Sequence, residues 1–525
     1  MDHIAIPSVT SRTWLSIRPE ARVRIEWLVD LAAGALALLV YGATLAPTIT
    51  WRNSGADSGD LVTAAFTLGI PHPPGYPLYT LIAAAFAHLP FGEPAQNVGF
   101  FSALAAAAST ILISRSARAL ISDQPRNWVS SLVPPSIALV IAFAPLFWSQ
   151  ATVAEIYALN VLIVSGFLTA LLSGSRARLF LATLAFGLGL AHHLTIVLMA
   201  PAALVLLYGG HWSRRDLLLA GVIGGLPLFL YLYLPVRALA QPPVNWGDPR
   251  TAQGFWWTVS AVPYHGYLFG LTLADVYPRL GLVVQSLFAQ YNVWGVALGL
   301  WGIAQMAFSQ DGNLQRRLAG LTLAFLLAAV YSIVYVTRNS LVYLLPAIVI
   351  FALWIAYGLA DLANRIPGRW GGAALVIALI LWPGCNFASN YAAMDLSQDR
   401  TALAYAQQSL SGVPRDAVLL ADGDEHLFAL MYCRYVVATD SAVVVVSSEL
   451  LQYDWYYDQV RQSLPYLEAS LAEQSIDPDE VRALEIVDRT LAQGRAVFTT
   501  SPRDWLARYV YVQQGDLFWI QKQLR

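Results

Sequence analysis

Two aspartates, Asp57 and Asp60, stand three residues apart in Asp57-Ser58-Gly59-Asp60, just ahead of a stiff turn, Pro71-His72-Pro73-Pro74-Gly75-Tyr76-Pro77. On a helix or tight turn that spacing points both carboxylates the same way. Three uses of such a pair are open. One carboxylate takes a proton from an attacking hydroxyl as general base. The two together chelate a divalent metal. Or one merely caps the following helix, whose positive end favours the charge. His72, its backbone pre-set by prolines, is either a donor to a phosphate or sugar, or a satisfied turn residue. The setting adds weight to chemistry: the flanking chain is apolar, and an ionised group at membrane depth costs roughly 2.5–3.5 kcal/mol. Carboxylates at a water–membrane boundary suit a substrate that is half lipid and half polar.

Other polar residues fall near the same boundary. Glu155, followed by Tyr157 at the start of the fourth apolar run, either faces the same cavity or is a solvated loop carboxylate. His192, His193 and Arg237 are candidate anion ligands, since arginine offers phosphate a fork of donors. Snorkelling to the interface is the competing reading for Arg237. Arg338, between the ninth and tenth runs, is a further phosphate candidate. In Asn245-Trp246-Gly247-Asp248-Pro249 the aromatic is a sugar platform or a loop anchor. In the tail, Asp422-Gly423-Asp424-Glu425 follows a strand at a strand-to-helix turn, a place where ligands bind α/β sheets and where acidic residues also serve as plain caps. No GxGxxG, Walker A or HExxH motif occurs, which disfavours nucleotide and metalloprotease chemistry.

The elements that must hold these residues are set by composition. Of 525 residues 57% are hydrophobic and only 12% charged, about half the charged share of a soluble domain. The class is therefore a polytopic α-helical membrane protein. A net charge of −2 removes any argument for nucleic acid as partner; membrane lipid is the expected one. Apolar runs near the length of a span lie at Trp27–Leu45, Val98–Leu120, Val129–Ser149, Ile156–Ser173, Leu179–Ala191, Leu194–Tyr208, Leu217–Val236, Leu282–Phe308, Leu318–Val336, Leu341–Ala360 and Gly371–Cys385. Arginines cluster at alternate connections (Arg12 to Arg24, Arg115/Arg118/Arg126, Arg176/Arg178, Arg214/Arg215, Arg316/Arg317 and Arg365/Arg369). Arginine excess marks cytoplasmic loops. The pattern predicts eleven crossings in a plasma membrane, with the N-terminus cytoplasmic and the tail extracytoplasmic.

Three divisions follow: a cytoplasmic segment 1–26, a membrane domain 27–385 with long outer loops 46–97 and 237–278, and a tail 386–525. The stretch Leu179–Tyr208 is too short for two full crossings, so its apex at Ala191-His192-His193 is expected below the outer surface, facing a wet cavity, because backbone turns at that depth only where it lines one or is buried in protein. In the first loop a helix is expected over Asp60–Leu68 and an interfacial one over Tyr76–Leu89. The tail shows strand-like runs at Ala417–Ala421, Ala442–Ser447, Ala496–Thr500, Tyr509–Gln513 and Leu517–Gln521, the last two joined as a hairpin at Gln514-Gly515, and a helix over Asp479–Gln493. That reads as a small α/β domain. Cys385 and Cys433 form one bridge or stay two inert thiols.

Taken together, Asp57-Ser58-Gly59-Asp60-Leu61, Gly69-Ile70-Pro71-His72-Pro73-Pro74-Gly75-Tyr76-Pro77-Leu78, Ala154-Glu155-Ile156-Tyr157-Ala158-Leu159 and Asn245-Trp246-Gly247-Asp248-Pro249 resemble a bacterial membrane family related to eukaryotic protein O-mannosyltransferases of the GT-C fold. The chain departs from that family at Asp60, where glutamate is usual, and around Glu425-His426. The resemblance implies GT-C architecture and a polyprenyl-phosphate sugar as donor. It also implies inverting transfer of a mannose-like sugar to a hydroxyl, on protein Ser/Thr, lipid or glycan. Carried over, Asp57 is the catalytic base and Asp60 assists. His72, His193 and Arg237 stabilise the departing lipid phosphate, and Glu155 orders the pocket; beside this carry-over, His192 and Arg338 join the candidate donor ligands, and Tyr157, Tyr76, Trp246 and Asp248 the candidate pocket residues. No resident cofactor is fixed; a divalent metal on Asp57 and Asp60 is the alternative. Two other classes stand beside this reading, a transporter or flippase of a lipid-linked or anionic substrate, and a non-catalytic cell-envelope scaffold.

Overall fold

A computed structural model describes residues 18–523 apart from 126, 269, 338, 367, 468–476 and 505–506. Arg12, Arg126 and Arg338 therefore lie outside the described residues. Each of the eleven apolar runs falls in helical structure. Five described helices are long and apolar enough to cross a membrane: Pro94–Leu120, Arg214–Ala238, Gly312–Val334, Ser340–Arg365 and Trp370–Met394. A sixth span forms if Ser130–Ala142 and Pro145–Ala151, bent by 71° to each other, count as one. Proline explains that bend: Pro145 cannot donate to the ladder of the preceding turn. Tyr157–Leu172, Arg178–Leu190 and Leu194–Leu207 are shorter. The expected last run does not stop at Cys385; its helix continues to Met394.

Burial sorts these helices. Ser340–Arg365 is almost wholly enclosed, whereas Arg214–Ala238 and Trp370–Met394 leave most of their apolar side chains on the outside. In water such an exposed stripe would be unstable; against lipid it is the ordinary state. Near the predicted cytoplasmic end, Asp30 is fully buried and accepts bonds from Ser114 Oγ at 2.6 Å and Arg118 Nε at 2.9 Å. Together with Arg115, which donates to the same carboxylate at 3.3 Å, that ion pair clamps the helix Pro19–Thr44 to Pro94–Leu120 and gives two of the topology-marking arginines a structural task.

The first outer loop holds two helices, Ser58–Thr67 and Pro77–Ala87. The second was expected to lie on the membrane surface. Instead Pro77, Tyr79, Thr80, Ala83, Ala84 and Ala87 are buried against protein, and Leu78 N–H donates to Ala191 O at 3.2 Å, tying the loop to the His192–His193 apex.

The tail forms one sheet of β1 (Val418–Ala421), β2 (Val444–Ser447), β3 (Val497–Thr499), β4 (Tyr509–Gln514) and β5 (Leu517–Lys522), in the order β2-β1-β3-β5-β4. β1 runs parallel to β2 and β3, and β4–β5 is the expected antiparallel hairpin. Cys385 and Cys433 are both free thiols.

The tail is seated on the first loop. The helix Asp424–Tyr432 packs on Ser58–Thr67 so closely that a Cβ on Gly59 would sit 2.3 Å from Phe428 O. Trp51 Nε1 donates to Glu425 O at 2.9 Å, and Arg52 donates to Ala393 O at 3.1 Å. Gly59→Leu is accordingly expected to lower stability by about 1–3 kcal/mol, the usual cost of overpacking, read as a fall in the melting temperature of the detergent-solubilised protein. Gly42→Ala, a helical site where an added Cβ meets nothing within 4 Å, is the control and should hold or slightly raise it.

Candidate active site

Asp57 occupies the N-cap position of Ser58–Thr67 but makes no capping bond. Its carboxylate is left free to line a cavity of about 790 Å³. Asp60, one turn on, does not line that cavity. It is fully buried and committed: Oδ2 accepts from the His72 backbone N–H at 2.9 Å and meets His72 Nδ1 at 2.8 Å, while Oδ1 accepts from Trp246 Nε1 at 3.0 Å. The two aspartates therefore face different surroundings, contrary to the common direction expected from their spacing. With its oxygens spent on His72 and Trp246, Asp60 is poorly placed to share a metal with Asp57. Among the described residues no group of three His, Cys, Asp or Glu is spaced to hold a metal ion.

The charges follow from these contacts. Burial alone would lower the His72 pKa, but the bond to Asp60, then the Asp57 carboxylate, overcome it and raise it to about 9. His72 is thus an imidazolium at neutral pH, with Nδ1 engaged and Nε2 the ring nitrogen left for a ligand. Burial pushes the Asp57 pKa up, His72 pulls it down and Asp60 raises it, for a net upward shift. An upward-shifted carboxylate is a stronger base than an ordinary aspartate.

The cavity has three walls. The Pro-turn of the first loop supplies His72 and Tyr76; the fourth apolar run and the apex supply Tyr157 and His193; Tyr264 and Tyr343 close the far side. Tyr157 and Tyr343 hydroxyls lie 3.5 Å apart. Over these walls sits the tail, whose turn Asp422–His426 and Phe428 line the cavity as well. Asp424 is accessible at the rim yet shut in toward the cavity. That enclosure, then the carboxylates of Asp57 and Glu449, lift its pKa to about 7.

Several expected contacts fall elsewhere. The apex was expected to face a wet cavity with both histidines, and only His193 does so; His192 is fully buried, its Nε2 at 2.9 Å from Ile156 O. Arg237 neither reaches the cavity nor snorkels: Nε donates to Leu68 O at 2.6 Å and Nη2 to Thr67 O at 3.4 Å, closing the C-terminal end of Ser58–Thr67. Trp246 is held beneath His72 by Asp60 and is a loop anchor, not a cavity platform. Asp248 pairs with Arg250 outside the cavity. Glu155 is buried behind the walls, where its carboxylate lies against the backbone N–H groups of Ile156 and Asp57. Arg338 is outside the described residues. Lining residues that sequence reading missed include Tyr264, His265, Tyr267, Tyr331, Tyr335 and Tyr343. Tyr264 lies in the outer loop 237–278, rich in Trp, Pro and Tyr, which was the available signal.

The pair His72–Asp60 makes stability depend on pH. His72 rises from an ordinary 6.5 to about 9 in the fold, so its stabilisation is complete below about pH 6.5 and is lost as pH climbs through 9. Melting temperatures of wild type and His72→Gln should differ most at about pH 6 and converge by about pH 10, as followed by tryptophan fluorescence.

Residues 57–216 match the family described as the protein O-mannosyl-transferase TMEM260 N-terminal domain, and residues 402–482 match TMEM260-associated domain 2. Protein O-mannosyl-transferase TMEM260 of Mus musculus is 28% identical over 487 residues, 84% of this chain and 66% of the relative. Its counterpart in Dictyostelium discoideum is 22% identical over 476 residues, 80% of this chain and 57% of that one. The chain thus spans just under two thirds, or less, of these relatives. The crystal structure of ArnT from Cupriavidus metallidurans bound to undecaprenyl phosphate superposes with a TM-score of 0.58 at 14% identity, covering 94% of this chain and 97% of that one. The oligosaccharyltransferase of Archaeoglobus fulgidus gives 0.50 at 11%, covering 94% and 74%. At such identities the likeness is one of fold.

Proposed function

Since the chain belongs to a protein O-mannosyltransferase-like family with the GT-C fold, we propose that it is an inverting glycosyltransferase. It moves a mannose-like sugar from a polyprenyl-phosphate donor to a hydroxyl, on protein Ser/Thr, at the outer face of the plasma membrane. In this reading 27–385 is the membrane domain, N-terminus inside, and the sheet-bearing tail from 386 is extracytoplasmic. The observation that carries the proposal is a base and a cation on one cavity: the uncapped Asp57 carboxylate and the His72 imidazolium both line it.

The acceptor oxygen attacks the anomeric carbon opposite the phosphate, and its proton passes to Asp57. The bond from that carbon to the phosphate oxygen breaks, its electron pair leaves on the phosphate, and the configuration inverts. Negative charge grows on the departing phosphate, where a pre-set cation is worth most in a water-poor site; His72 supplies it. Asp60 is a positioning residue that keeps His72 charged and oriented. His193, Tyr157 and Tyr343 offer polar groups to the sugar, and Glu155 orders the wall behind Asp57. The solved structure carrying undecaprenyl phosphate supports the donor class. The test is transfer by purified protein from a set of polyprenyl-phosphate sugars, with and without EDTA. Activity with a lipid-phosphate mannose that resists EDTA is the expected result. Failure with every donor, or strict dependence on a nucleotide sugar, overturns the reading.

A further inference from the structure

We propose that a second groove, between the helix Thr401–Ser411 and the C-terminal hairpin, binds the acceptor as an extended polypeptide and leads its hydroxyl residue into the Asp57 cavity. The proposal rests on the glycosyltransferase reading above and names where its acceptor is held. The groove has a volume of about 600 Å³. One wall is the stripe Thr401, Ala404, Tyr405 and Gln408, spaced so that a helix brings all four to one face. The opposite wall is Gln513 of β4 and Asp516 of the hairpin turn. The inner end is formed by Trp51 and His426, and His426 also lines the Asp57 cavity. His426 thus borders both hollows.

The lining fits a polypeptide. Trp51, Tyr405 and His426 form a three-ring cluster, with centroids 5.4 Å apart for Trp51–Tyr405, 5.0 Å for Tyr405–His426 and 6.0 Å for Trp51–His426. Such faces hold side chains and peptide planes without demanding a sequence. Gln408 and Gln513 each carry a donor and an acceptor on one amide, the complement of a backbone N–H and C=O.

The experiment uses the full-length protein in detergent with a polyprenyl-phosphate mannose donor and two acceptors. One is a Ser/Thr peptide of about a dozen residues, able to span about 40 Å when extended; the other is N-acetyl-threonine amide, too short to reach the groove. Ala404 and Gln513 are exposed, so Ala404→Arg and Gln513→Arg fill the groove without disturbing the core. Both should raise KM for the long peptide about tenfold, leave kcat unchanged, and leave transfer to the short acceptor unchanged. Binding of the same peptide, labelled and followed by fluorescence anisotropy without donor, should weaken equally. Unchanged peptide KM, equal losses on both acceptors, or sensitivity of an oligosaccharide acceptor in place of the peptide would each overturn the groove. If no acceptor is glycosylated by any variant while peptide binding still responds to Ala404→Arg, the groove stands and the transferase reading falls.

Discussion

Asp57→Asn should abolish sugar transfer while leaving the protein folded and able to bind the lipid donor. The substitution keeps the shape of the side chain and removes only its capacity to take a proton. Positioned general bases contribute about 10²–10⁴ in rate, and the upward-shifted carboxylate of Asp57 argues for the upper part of that range. Asp57 makes no capping bond, so the helix behind it loses nothing, and the melting temperature should hold. The measurement is single-turnover transfer from polyprenyl-phosphate mannose beside equilibrium binding of the donor. A transporter or scaffold would be indifferent to the change, and retained transfer would remove Asp57 from the chemistry.

Much of the architecture is written in periodicity. Apolar runs of span length become helices whatever their neighbours do, since backbone in lipid must satisfy itself. The tail strands are equally legible, as short apolar runs bounded by turn residues. What periodicity does not carry is the partner of a polar group. Nothing local to Asp60 says that Trp246, 186 positions away, will claim one oxygen and His72 the other. Arg237 reads as a phosphate ligand or an interfacial anchor until the carbonyls of Thr67 and Leu68 are seen to consume it. His192 and His193 are adjacent, and the backbone after Leu190 turns one inward to Ile156 and the other to the cavity.

The tail shows the same limit on a larger scale. Asp422–Glu425 looks like a strand-end cap in sequence, and in the fold it roofs the Asp57 cavity because Gly59 leaves room for the Phe428 backbone. A site shared between the first loop and the tail also explains why the carboxylates affect one another. Asp424 is lifted to about 7 partly by Asp57, so the roof itself gains a proton close to neutral pH. That coupling of the tail to the first loop is one that neither segment could reveal alone.

Asp60→Asn separates a positioning role from a catalytic one. If Asp60 acted on substrate, its loss would scale the rate equally at every pH. Through its bond to Nδ1 it acts instead on His72. The carboxylates that raise that imidazole are Asp60, Asp57 and Asp424, with Tyr76, Tyr264 and His193 also facing it; removing the first deletes the largest upward contribution and leaves burial pulling down. The His72 pKa should then fall from about 9 toward the ordinary 6.5. Wild-type turnover should hold through neutral pH and decline near 9 as the cation is lost. In Asp60→Asn the same decline should move roughly two pH units lower, each unit being about 1.4 kcal/mol between the protonation states. At about pH 7.5 the variant should be roughly fourfold slower, because only about a quarter of its His72 then carries the proton, and should regain nearly all of that loss near pH 6. NMR titration of the His72 ring supplies the independent readout. An unchanged His72 titration in the variant, or a rate deficit with no pH dependence, would show that Asp60 does something other than hold the cation in place.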